Sequence, residues 1–116
     1  MVSRIEALFR RRGRERAARA TPLALADLDA LEREGVAAAV VGSLARGTML
    51  QHSDIDLLIL DAGPHSLEEI AGILEPVLEG FPFDLIPLAQ VEPEMRPLLL
   101  REMRRASDLR PHPAPA

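Results

Sequence analysis

The chain has 116 residues, 47% of them hydrophobic, enough for one small domain with a core of its own. It contains no cysteine and only three aromatic residues, all Phe, which excludes disulfides, thiolate metal sites, a Cys nucleophile and an aromatic platform for stacking bases. The net charge of −4 is unevenly spread: residues 1–20 hold seven Arg against Glu6 and Glu15, the remainder is acidic, and Lys is absent.

Residues 3–19 predict a charged helix, with Ile5, Leu8 and Phe9 on one face and Gly13 weakening its middle. Arg10, Arg11, Arg12, Arg14 and Arg16 read first as a solvated helix face or frayed end, with contact to RNA or an acidic partner as the alternative. The polar N-terminus is unlike a signal peptide and no apolar run approaches the roughly 20 residues of a membrane span, so a cytoplasmic location is expected. Thr21-Pro22 predicts a new helix start, with Thr as N-cap, a helix over 22–34 and Gly35 as its stop.

Val36 to Val41 is a short apolar run that ends in Gly42-Ser43 and reads as a buried strand. Residues 43–53 predict a turn that opens with one helical turn, and Ile55 to Leu60 a second buried strand. After Gly63-Pro64, Ser66 and Glu69 match a capping box, and Leu67, Ile70, Ile73, Leu74 and Val77 form a helical stripe that Pro76 should kink or end. Phe83 to Leu88 predicts a third strand, with Pro87 placing its far end on an edge. Glu92 to Ala106 predicts a last helix, and its Met95, Leu98 to Leu100 and Met103 serve packing or a partner surface. The division expected is a basic helix over 1–20, a domain over 21–106 and a disordered tail over 107–116.

The informative stretch is Gly42-Ser43-Leu44-Ala45-Arg46-Gly47, followed by Ser53-Asp54-Ile55-Asp56-Leu57. Strand side chains alternate, so Asp54 and Asp56 project to one face. Two adjacent carboxylates repel unless a dication lies between them, and an all-oxygen donor set favours Mg²⁺ or Mn²⁺ over zinc. Glycine lets a ligand approach the backbone, while amide N–H groups and the Ser43 hydroxyl suit phosphate oxygens. A phosphate cradle joined to a carboxylate pair by a short turn suits a triphosphate, and hence phosphoryl transfer. His52 stands next to this stretch as a lone, incidental His, and His65 and His112 lie in a breaker loop and a tail with no second ligand at metal spacing.

This stretch resembles the signature of the polymerase-β-type nucleotidyltransferases: apolar strand, Gly-Ser, spacer, then Asp-apolar-Asp-apolar. Ten residues separate Ser43 from Asp54, which suits the pattern. The run is close to the minimal nucleotidyltransferases often paired with HEPN proteins in toxin–antitoxin operons, and resembles less closely the N-terminal half of kanamycin-type enzymes. Residues 22–105 follow the family's order of elements. The resemblance implies an α/β (α+β) nucleotidyltransferase fold, a small mixed sheet of about three strands with helices packed on it.

Residue by residue, the resemblance assigns Gly42 and Ser43 to the triphosphate and Asp54 and Asp56 to Mg²⁺. It makes Asp84 the third, metal-linked carboxylate and base. Arg46 either neutralises phosphate charge or braces the turn. The implied reaction moves a nucleoside monophosphate, AMP from ATP in the first instance, to a hydroxyl acceptor. The acceptor-holding domain of larger relatives has no counterpart here, so a partner such as a HEPN toxin, or a second copy, would supply the acceptor. The alternatives are a non-catalytic antitoxin that acts by contact and a transferase for a small molecule such as an aminoglycoside.

Overall fold

A computed structural model describes residues 3–111. Helix α1, Arg4–Arg33, starts at Ser3, whose side chain accepts the Glu6 amide, and stops at Glu34 before a left-handed Gly35. Strand β1, Ala37–Val41, leads directly into the short helix α2, Gly42–Arg46, which a left-handed Gly47 ends. Strand β2, Ile55–Asp61, is followed by helix α3, Leu67–Leu78, and strand β3, Phe83–Pro87. A 3-10 turn at Leu88–Gln90 precedes helices α4, Arg96–Glu102, and α5, Ala106–Leu109.

The sheet is mixed and its order is β1-β2-β3. β1 pairs antiparallel with β2, and β2 pairs parallel with β3. A parallel pair needs a crossover, which α3 supplies. One face of the sheet presents Val40, Ile55, Leu57 and Ile59 to a core completed by Ala20, Ala24, Leu28 and Leu31 of α1 and Ile70, Leu74 and Leu78 of α3. β2 is central and five of its seven residues are apolar, with Leu58 also buried from the opposite side.

Four local expectations change. The helices expected at 3–19 and 22–34 are one: α1 runs unbroken through Thr21-Pro22, so no break falls at residue 20. Its buried stripe Gly13, Ala20, Ala24, Asp27, Leu28, Leu31 keeps helical spacing across the proline. Thr21 is not a cap; its hydroxyl donates to the Ala17 carbonyl at 2.7 Å. Packing of that stripe outweighs the roughly 3 kcal/mol an interior proline costs a helix.

α3 likewise continues two residues past Pro76, which lets Leu78 bury; its capping box, Ser66 with Glu69, forms as expected. The single helix expected at 92–106 is shorter, starting at Arg96 and ending at Glu102. Beyond it Arg104 pairs with Val40, amide to carbonyl in both directions at 2.8 Å. Within the expected tail, residues 107–109 belong to α5, which packs on α1 and is tied to it by Arg110 and Asp29 at 2.7 Å. Residues 112–116 of that tail, and His112, lie outside the described residues.

Candidate active site

The C-terminal end of β1 meets the N-terminal ends of β2 and β3 at one edge of the fold. Val41, Asp56 and Asp84 sit side by side there across the three strands. Residues directly opposite in a sheet project to the same face, so the Asp56 and Asp84 side chains share one, and Asp54, just before β2, is near enough for its charge to act on Asp56. Asp56 is half-buried, while Asp54 and Asp84 are exposed.

Burial raises the Asp56 pKa above the usual carboxylate range, and the Asp84 and Asp54 charges raise it further, with Arg46 opposing them. A carboxyl under that combination of desolvation and like charge is a group that a bound cation would stabilise.

Gly42 stands against this pair. Its φ is +75°, a left-handed conformation, and a Cβ there would strike the Asp56 carboxylate. Glycine is thus required both by the backbone and by the close approach of the turn to Asp56. Ser43 follows in α2, half-buried. Arg46, one turn on, reaches Glu102 of α4, its Nη1 lying 3.2 Å from both carboxylate oxygens. Of the two roles left open for Arg46, bracing is the contact present.

The loop between α2 and β2 is gripped by α1. The Arg16 Nε donates to the Ser53 carbonyl at 2.7 Å, and its guanidinium stacks over Phe81, 4.2 Å from the ring centre. Gly13 is buried beneath this loop, so close that a Cβ there would run into the Met49 carbonyl. Ser53 closes the loop by accepting the Leu50 amide at 2.8 Å. His52 is exposed, and His65 lies between Glu34 and Glu69, tying α1 to α3 away from the carboxylates.

Sequence reasoning overlooked Glu102, whose Oε1 accepts the Gly42 amide at 2.7 Å. Nothing in its local pattern marks it, since the contact spans sixty positions. It also overlooked Asp27, fully buried in α1 with neither oxygen hydrogen-bonded. There a signal existed: Asp27 falls on the stripe of Ala20, Ala24, Leu28 and Leu31.

A family model described as a nucleotidyltransferase domain matches residues 24–106. The chain belongs to that family. No curated protein and no solved structure matches it. The matched span holds the whole sheet, the Gly42-Ser43 turn and the three aspartates. As a nucleotidyltransferase domain, the fold serves transfer of a nucleoside monophosphate from a nucleoside triphosphate.

Family chemistry generally uses a divalent cation with the nucleotide. Among the described residues, no three His, Cys, Asp or Glu side chains are gathered closely enough to hold a metal ion alone. The aspartates are neighbours, not a closed cage. A divalent cation at this place would draw its remaining ligands from waters and substrate phosphates. The crowding of negative charge around Asp56 fits such an ion.

Proposed function

We propose that the protein is an Mg²⁺-dependent nucleotidyltransferase that moves AMP from ATP to a hydroxyl on a partner protein. The observation that carries this is the direct opposition of Asp56 and Asp84 beside the Gly42 turn. In this reading the Gly42 amide, the Ser43 hydroxyl and Arg46 hold the triphosphate. Asp54 and Asp56 would hold Mg²⁺, with Asp84 facing Asp56 from β3, and the ion would supply charge neutralisation to the phosphates when bound. Asp84 takes the proton from the acceptor hydroxyl. The acceptor oxygen bonds to the α-phosphorus, the bond from that phosphorus to the bridging oxygen of the β-phosphate breaks, and pyrophosphate leaves. Positioning and electrostatics supply most of the acceleration in such a transfer.

The acceptor class follows from the sequence resemblance: a side-chain hydroxyl, such as a Tyr, on a HEPN-type toxin encoded by the neighbouring gene, with this chain as the antitoxin. Incubation with ATP labelled at the α-phosphate, Mg²⁺ and the neighbouring gene's product tests it. Label should pass to that protein, and Asp54→Ala with Asp56→Ala should reduce the rate by at least about 10²-fold, the scale for losing one electrostatic stabiliser of a transition state. Transfer undiminished by the double substitution refutes the assignment.

One observation favours a second reading, neutralisation by contact alone. Met95, Leu98 and Leu100 are exposed on and beside α4, an apolar set available to a partner. A carboxylate double variant that still neutralises the toxin selects this reading over catalysis.

A further inference from the structure

The groups assigned above to the triphosphate already have an anionic partner within the chain. Glu102 Oε1 accepts the Gly42 amide at 2.7 Å, and both carboxylate oxygens lie 3.2 Å from Arg46 Nη1. The Glu102 side chain is only 12% exposed, so its carboxylate is seated against the Gly42 amide, while the Arg46 side chain that meets it is 53% exposed. We propose that Glu102 is an internal plug: its carboxylate stands in the place of a phosphate group, and a nucleoside triphosphate must displace it to bind. This rests on the reading of Gly42 and Arg46 as phosphate-binding groups.

Charge and hydrogen-bond capacity both make the two anions mutually exclusive. Gly42 has one amide hydrogen, and a charge-assisted bond to a carboxylate uses it fully. Glu102 adds to the negative charge that Asp54 and Asp84 already impose on Asp56, with Arg46 as the opposing cation. A polyphosphate entering beside that set gains the Gly42 amide and Arg46 only after Glu102 leaves.

The segment carrying Glu102 is built to be held and also to be released. Two residues on, Arg104 is pinned to β1 through Val40, and its Nε reaches the Ala45 carbonyl of α2 at 3.4 Å. Those contacts set Glu102 against the turn. Helix α4 itself buries no residue and exposes Leu98 and Leu100. An element with so little buried apolar surface opens locally at low free-energy cost. Release of α4, with Arg104 as the tether, clears the turn without disturbing the core.

Calorimetric titration of the full chain with MgATP, MgGTP, MgCTP and MgUTP tests the plug, using wild type, Glu102→Ala and Glu102→Gln. Glu102→Gln keeps an oxygen for the Gly42 amide and removes the charge, so it tests the idea even if Glu102→Ala fails to fold. Both variants should bind the preferred nucleotide at least about tenfold more tightly than wild type, the factor equivalent to 1.4 kcal/mol. That gain should vanish when Asp54→Ala and Asp56→Ala are added. Equal or weaker binding by the folded variants makes Glu102 a brace for the turn and overturns the plug while leaving the nucleotide site in place. Absence of nucleotide binding in all three chains overturns the plug and the site together.

Discussion

Position 42 carries two separate demands, a left-handed backbone and room for Asp56. Alanine there meets neither. Gly42→Ala should lower stability by about 1–2 kcal/mol from the backbone alone, and more from the collision with Asp56, as read by urea unfolding. It should also abolish nucleotide binding. Asp27 poses a different residue-scale question. Burial raises its pKa from 3.8 to about 7, with no hydrogen bond to compensate. The folded chain therefore keeps a proton that the unfolded chain loses above about pH 3.8. Its contribution to stability is full below that pH and declines as the pH rises to about 7. Asp27→Asn has no proton to lose, so wild type should fall behind it across this window. Above pH 7 the gap should level off at a few kcal/mol, the cost of ionising a buried carboxyl that Asn does not carry. Melting curves of both chains at pH 5 and pH 8 check the sign.

Among the elements, the strands and the Ser66 start of α3 were legible because apolar runs, glycine stops and the capping box are local signals. The closeness of Asp54 and Asp56 to the Gly42-Ser43 turn follows from strand period and adjacency, whereas Asp84 came from the resemblance alone and is set opposite Asp56 by the strand register. α1 was misread as two helices because Thr21-Pro22 imitates a start. Only the three-dimensional stripe from Gly13 to Leu31, packed against the sheet and α3, shows why the helix continues. Glu102 and Arg104 were illegible because both depend on contacts across the chain. Since Pro22 is tolerated and not required, Pro22→Ala should stabilise the protein by about 1–2 kcal/mol, part of the interior-proline cost being offset by a freer unfolded chain. Arg16→Ala should do the reverse, by about 1–3 kcal/mol, through loss of the Ser53 bond and the Phe81 stack. Denaturant midpoints read both.

For the molecule as a whole, the 30 residues of α1 span roughly 45 Å at 1.5 Å each, close to the longest dimension of 50 Å. The radius of gyration is 15.1 Å, against about 13 Å for a compact chain near this length; the basic first turns of α1 project beyond the core. If the nucleotide site is used as proposed, the Mg²⁺-nucleotide complex at a hundred times its dissociation constant should add about 2.7 kcal/mol to stability, visible as a raised melting temperature that Asp54→Ala with Asp56→Ala removes. The sheet's margins have a separate consequence. β1 is irregular between Ala37 and Ala38 and has its outer side met by Arg104 at Val40, while β3 finishes in Pro87, which offers no amide. A three-stranded ribbon blunted on both borders is a poor template for recruiting further strands, so the apolar Ala-Val run of β1 is shielded from seeding fibrils.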